Sequence, residues 1–238
     1  MANPSATITD TLTDVGGTML STELNSLTPL LLSDASQRGS ITVYTFTNDN
    51  PNKTQLVDDS LKRVVYDVRV DFEGKRPITF MRHLNADGSQ GEIFGQLEWH
   101  DFFPDQMTFK GSKKVKKTSF FSKAGMFGVS FKDDQGRKYT WKGLGAGLQL
   151  QLHADDNFNP NMPIAQFQRT RRDYSTQPAT VFPAMLFMTP RGVEIKELVI
   201  FTFLVLEKVR RTDENSTTNK LEAENLGGGP LGGMLKMK

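Results

Sequence analysis

Six lysines, Lys110, Lys113, Lys114, Lys116, Lys117 and Lys123, follow one another with no acid among them, interleaved with Val115, Phe120 and Phe121. Basic side chains beside apolar ones suit an anionic membrane surface, where each Lys or Arg contributes about 1 kcal/mol. Lys113, Lys114, Lys116 and Lys117 form the heart of this candidate anionic-ligand site. Arg171 and Arg172, with Arg169 beside them, join it only if the fold brings them there. The same composition also suits a solvated loop between two strands, because basic clusters have several causes.

Other patterns carry less chemistry. Asp155, Asn157, Asn159 and Asn161 place oxygen side chains at alternate positions, as a calcium loop does. Pro160 stands where such a loop needs Gly, and Gln166 where it needs a bidentate Glu, so no metal is expected. Gly143-Leu144-Gly145-Ala146-Gly147 lacks the third glycine of a dinucleotide fingerprint, and the alternating Leu148–Leu152 after it reads as a strand. His83, His100 and His153 are scattered, with no metal-ligand spacing and no nucleophile elbow. His100-Asp101 would need a distant partner to act as an acid–base couple. Glu92 and Glu98 alternate with apolar residues and read as a solvent face. Neither a catalytic residue nor a cofactor is expected.

Cysteine is absent, which excludes disulfides, thiol catalysis and Cys-ligated zinc, and fits a reducing compartment. No signal peptide is visible in Met1-Ala2-Asn3-Pro4-Ser5, so the expected location is cytoplasmic, peripheral to membranes if the lysine site is real. Net charge is +2, unevenly spread: −3 in residues 1–40, +5 in 41–210 and 0 in 211–238. A mildly basic body admits anionic partners, either acidic lipid or an acidic protein surface, and no nucleic acid is expected.

The elements that would position these residues are mostly strands. Val64, Tyr66, Val68, Val70 and Phe72 share one face of a period-two stretch, with Asp67, Arg69 and Asp71 on the other. Ile93/Leu97/Trp99, Phe127/Val129/Phe131, Tyr139/Trp141 and Leu148/Leu150/Leu152 repeat the pattern. Ile41–Thr47, Ile78–Leu84, Gln106–Phe109, Ile164–Gln168 and Val181–Met188 are further candidates, with turns at Asp87-Gly88, Gln135-Gly136 and Pro190-Arg191-Gly192. Many short strands at such spacing indicate an antiparallel sandwich or barrel. One apolar run, Leu198–Leu206, lies between Glu194/Glu197 and Lys208/Arg210/Arg211, the charge order a helix dipole favours. A helix from Glu194 to Arg210 would be roughly 25 Å long, too short to span a bilayer comfortably. The run is also rich enough in Val, Ile and Phe for a buried strand, but its length and end charges favour a helix. Being apolar all round, that helix must be buried on all sides.

A mainly β, antiparallel barrel enclosing one C-terminal hydrophobic α-helix resembles the tubby-like fold of tubby C-terminal domains, LURP-one-related proteins and phospholipid scramblases. The stretch Phe131-Lys132-Asp133-Asp134-Gln135-Gly136-Arg137-Lys138-Tyr139-Thr140-Trp141-Lys142 and the helix ending Glu207-Lys208-Val209-Arg210-Arg211 are similar to a fungal family of unknown function within this group. Asp155-Asp156-Asn157-Phe158 is similar to a short scramblase segment. The resemblance implies lipid binding through distant relatives and no enzymatic activity. The expected organisation is a disordered leader over 1–26, a barrel domain over 27–211 and a flexible Gly-rich tail over 212–238. The expected function is a non-enzymatic intracellular module for anionic phospholipid headgroups or an anionic protein surface. The alternatives are a scramblase-like membrane protein whose last helix inserts in lipid, an interaction scaffold, and an enzyme with a novel site.

Overall fold

Period-two alternation over most of the chain builds one large antiparallel sheet. The computed structural model describes residues 41–72, 74, 76–100, 104–145, 147–157 and 161–227, with the backbone alone for 218–227. Seven strands form a first meander: β1 (Thr42–Phe46), β2 (Thr54–Asp58), β3 (Arg63–Asp71), β4 (Ile78–Leu84), β5 (Gln90–Glu98), β6 (Gln106–Phe109) and β7 (Val115–Lys116). One helical turn, α1 (Lys117–Phe120), leads to a second meander: β8 (Ser122–Lys123), β9 (Gly128–Lys132), β10 (Lys138–Lys142), β11 (Gln151–Ala154) and β12 (Ala165–Gln168). Among the described residues, β13 (Arg171–Asp173) and β14 (Thr180–Phe182) pair only with each other. β15 (Met185–Met188) then enters between β1 and β12, with Met188 opposite both Thr42 and Ala165, and joins the meanders into a 13-stranded sheet. The ladder ends at β7 and β8, so it is not closed into a barrel. Those two edges are separated in the chain only by residues 117–121.

A short helix, α2 (Pro190–Glu194), precedes the long one, α3 (Lys196–Gly227). Thr189 caps α2 through its hydroxyl, which accepts from the Gly192 N–H, and Pro190 occupies the first turn, where its missing N–H costs nothing. The apolar run is buried throughout Leu198–Leu206. Phe201 packs on Phe109 and Phe120, with ring centroids 5.2 and 6.2 Å away. Phe203 meets Phe46, Trp141 and Phe167 at 5.7, 6.2 and 4.4 Å. The helix therefore touches β1, β6, β10 and β12 together, which is how a helix without a polar face is satisfied. On β5 it meets bare backbone: a Cβ on Gly95 would lie 2.6 Å from Phe201 Cδ2.

Several expectations change in the folded chain. Asp67, expected on the charged face of its strand, is buried, whereas Phe72, expected on the apolar face, is 76% exposed. The ladder of β3 ends at Asp71, so Phe72 has no strand neighbour to cover it; Asp67 lies between Gln55 and Arg82 in register. The Val181–Met188 stretch divides into β14 and β15, and Pro190-Arg191-Gly192 opens a helix rather than a turn. β2 was not expected. The last helix begins at Lys196 rather than Glu194, because Ile195 breaks the run at φ −119°. It also continues beyond Arg211, where the domain was expected to end, through more than half of the expected flexible tail. Thr212, Ser216 and Thr217 each donate to a carbonyl four residues earlier, and Arg169 reaches Glu214 at 2.8 Å. The expected leader over 1–26 and residues 228–238 lie outside the described residues.

Candidate functional site

The lysine cluster is divided by its ion pairs. Lys114 is paired with Glu98, and Lys117 Nζ lies 2.6 Å from Asp105 Oδ2. Lys113 and Lys116 are exposed; Lys116 stands on β7, an edge of the sheet, where lysine discourages strand-to-strand association with another chain. Phe120 and Phe121 point inward: Phe120 stacks on Phe131 at 6.1 Å, and Phe121 is buried. They belong to the core and offer nothing to a surface. Arg171 and Arg172 sit in the separate β13–β14 sheet, Arg171 stacked on the Phe182 ring at 4.6 Å. The two basic groups thus occupy different sheets.

A different apolar surface takes the place assigned to Phe120 and Phe121. Met126 and Phe127 stand 86% and 51% exposed in the loop between β8 and β9, and Leu148 is 47% exposed in the loop between β10 and β11. The loops touch: Leu144 N–H donates to the Phe127 carbonyl at 3.1 Å, and a Cβ on Gly145 would meet both Phe127 and Leu148 within 3.2 Å. Gly143, at φ +82°, makes the second loop possible, since a Cβ there would lie 1.9 Å from the Gln149 carbonyl oxygen. Lys142 is paired across the ladder with Gly128, and Lys123 with Val129. A crevice of about 280 Å³ runs from Lys117 and Lys123 to Leu144 and the helix side chains Leu206 and Val209. Exposed Lys123 and Lys142 therefore border an exposed apolar patch.

At the start of α3 a second constellation forms. Glu197 receives His83 Nε2 at 3.1 Å and Lys110 Nζ at 2.6 Å. Lys110 holds a left-handed backbone, φ 46°, in the turn after β6. Burial, with Asp58 and Glu197 nearby, pushes the Tyr44 phenol up to about 12, and burial raises Tyr66 further. Both phenols stay protonated at neutral pH and are not bases there. A cavity of about 630 Å³ opens beside Lys110 and Glu197, with Phe109, Phe120 and Leu198 on its apolar side. Its far wall is the turn 133–137, where Asp133 accepts from Arg137 and Tyr139. Despite burial, these bonds hold Asp133 below the usual carboxylate range.

Farther along α3 the buried Glu207 receives Arg169 at 3.0 Å, Arg210 at 2.6 Å and Arg211 at 2.7 Å. Arg211 also pairs with Asp49; despite burial, that contact and the Thr170 N–H keep Asp49 below its ordinary value. This is a clamp on the helix. Its neighbour Lys208 places Nζ 3.2 Å from the Trp99 ring centroid. Burial pushes this amine down to about 7, against the attraction of Asp105 and with the help of Lys117.

His83, Glu197 and Lys208 were not read as functional from sequence. The partners His83 and Glu197 come from separate strands and helix, and only folding joins them. Among the described residues, no three acids or histidines form a set able to hold a metal ion. Asp155 pairs with Lys138 and Asp156 with Arg191, while Asn159 lies outside the described residues.

Fold and surface define a mainly antiparallel β domain wrapped on a C-terminal helix. Residues 49–212 match the model of a family of unknown function, DUF6593, and the chain belongs to that family. No curated protein matches the chain. No solved structure matches it.

Proposed function

We propose that the chain is a non-enzymatic, cytoplasmic binding module that docks peripherally on anionic phospholipid surfaces through the loops carrying Met126, Phe127 and Leu148. The observation that carries this reading is the exposed apolar trio bordered by Lys123 and Lys142. Each apolar side chain fully removed from water contributes about 1.5–3 kcal/mol, and each lysine near an acidic bilayer about 1 kcal/mol. Partial burial of a few such groups produces reversible association, not insertion. Among the described residues no helix is long and apolar enough to cross a membrane. The apolar run of α3 is engaged by the sheet, so a scramblase-like insertion would require it to leave its own core. A sheet curved around one apolar helix supports a tubby-like reading of the fold, with β7 and β8 as the open seam.

Liposome co-sedimentation tests the reading with phosphatidylcholine vesicles and with vesicles containing phosphatidylserine. Wild type should pellet with the acidic vesicles and be released as salt rises, because screening acts within about 8 Å at physiological ionic strength. Met126→Ser/Phe127→Ser should abolish pelleting, and Lys123→Gln/Lys142→Gln should weaken it strongly. Lys113→Gln/Lys114→Gln should matter less, since Lys114 is already neutralised by Glu98. Equal recovery on both vesicle types, or full pelleting of the loop variant, refutes the proposal.

A further inference from the structure

The crevice of about 280 Å³ between the β8–β9 end of the sheet and α3 has two walls with the same gradient of polarity. On the helix, Leu206, Val209 and Asp213 recur at helical spacing and share one stripe. The stripe runs from buried Leu206 through partly buried Val209 to exposed Asp213. On the sheet side Phe121 is buried, Val129 and Leu144 are partly buried, and Lys123 is exposed. Lys123 stands opposite Val129 in the ladder, so the two side chains lie on one face. Each wall is thus apolar in depth and ends in a charge, an acid on the helix and a base on the sheet.

Those two charges are available to a ligand. Neither Lys123 nor Asp213 forms an ion pair among the described residues, and both are exposed. The other cations of the crevice are engaged: Lys117 by Asp105 and Arg210 by Glu207, each at 2.6 Å. An apolar slot disfavours a sugar or a bare phosphate, whose polar groups would be desolvated there without partners. The volume lies just below the roughly 300–1,000 Å³ of drug-sized sites, which suits one alkyl chain and not two. One cation and one anion at the mouth match a headgroup that carries both signs.

We infer that this crevice binds a single-chain zwitterionic lipid, a lysophospholipid whose headgroup pairs a phosphate with an ammonium. The acyl chain lies against Val129, Leu144, Leu206 and Val209, the phosphate meets Lys123, and the ammonium meets Asp213. The crevice adjoins the proposed lipid face through Leu144, whose N–H donates to the Phe127 carbonyl. It takes lipid monomers from solution, so its test involves no vesicle and either proposal can fail alone.

The test is calorimetric titration and amide-shift mapping of the isotope-labelled full chain with decanoyl lysophosphatidylcholine, kept below its micellar concentration. Binding should be saturable and should move amides of residues 121–129, 144 and 206–213. Hexanoyl lysophosphatidylcholine should bind at least about tenfold more weakly, since each buried methylene is worth up to roughly fourfold in affinity. Decanoate and decyltrimethylammonium, which carry one sign only, should each bind about tenfold more weakly. Asp213→Asn should cost the lysolipid about tenfold while sparing decanoate, and Lys123→Gln should cost it as much while sparing decyltrimethylammonium. Both side chains are at the surface, so these variants should fold. Val209→Trp, which fills the slot, should remove binding; if it melts early, the two charge variants decide alone. No saturable binding, shifts confined to other residues, equal affinity for the lysolipid, decanoate and decyltrimethylammonium, or unchanged affinity in the folded variants overturns the inference.

Discussion

Trp141 Nε1 donates to Thr202 Oγ1 at 3.0 Å, and the same hydroxyl donates back to the Leu198 carbonyl at 2.8 Å. Thr202 is the one polar side chain in the apolar run, and both partners are fully buried. It gives the indole N–H of the second meander an acceptor inside the core, and so fixes the rotation of α3 against β10.

Thr202→Val should therefore cost about 1–3 kcal/mol, the penalty for stranding a buried donor. Thr202→Ser should stay close to wild type. Urea unfolding of the three proteins measures the difference, and a Val variant as stable as wild type would show that the Trp141 bond contributes nothing net.

Phe201→Ala should cost about 3–5 kcal/mol, which is a fall in melting temperature of roughly 6–20 °C for a chain of this size. Gly95→Ala attacks the same contact from the strand, and overpacking there should cost about 1–3 kcal/mol. Adding Phe201→Leu to Gly95→Ala should recover part of that loss. Additive destabilisation in the double variant would contradict the contact.

Glu207→Gln keeps shape and removes the negative charge that Arg169, Arg210 and Arg211 share. Breaking a buried pair of this kind costs about 3–5 kcal/mol. The loss should persist in high salt, because buried pairs are screened little. A loss that disappears in high salt would place Glu207 at the surface.

Lys208 makes stability depend on pH. In the unfolded chain its amine keeps a proton up to about 10.5, whereas in the folded chain it releases it near 7. Between these values the unfolded state binds more protons, so stability rises with pH across that window. Lys208→Met should flatten this rise: its advantage over wild type is greatest below about pH 7 and closes toward pH 10. Its contact with Trp99 also predicts a wild-type change in Trp99 fluorescence near neutral pH. Parallel stability profiles for the two proteins would refute the assignment.

Strand identity was legible wherever alternation was long, as in β3, β4 and β5, because a pleated strand places alternate residues on opposite faces. The apolar run was legible as buried, and its length and end charges favoured a helix over a buried strand. Its continuation to Gly227 was not, since residues 212–227 have no apolar periodicity and draw support from Arg169 and from hydroxyl–carbonyl bonds. The cluster of lysines was visible in the chain, but its neutralisation by Glu98 and Asp105 depends on strands and loops that only meet after folding. Phe120, Phe121, Met126 and Phe127 look alike in sequence. Which pair faces the helix and which faces solvent is decided by how β8 and β9 turn at the open edge. Sequence by itself determined the β class, the internal helix and the absence of thiol chemistry. Tertiary structure alone decided the order of strands, the open seam, the Glu197 and Glu207 clusters and the crevice between Lys123 and Asp213, because each unites side chains that are remote in the chain, and register and curvature, unlike local alternation, are set by the whole sheet.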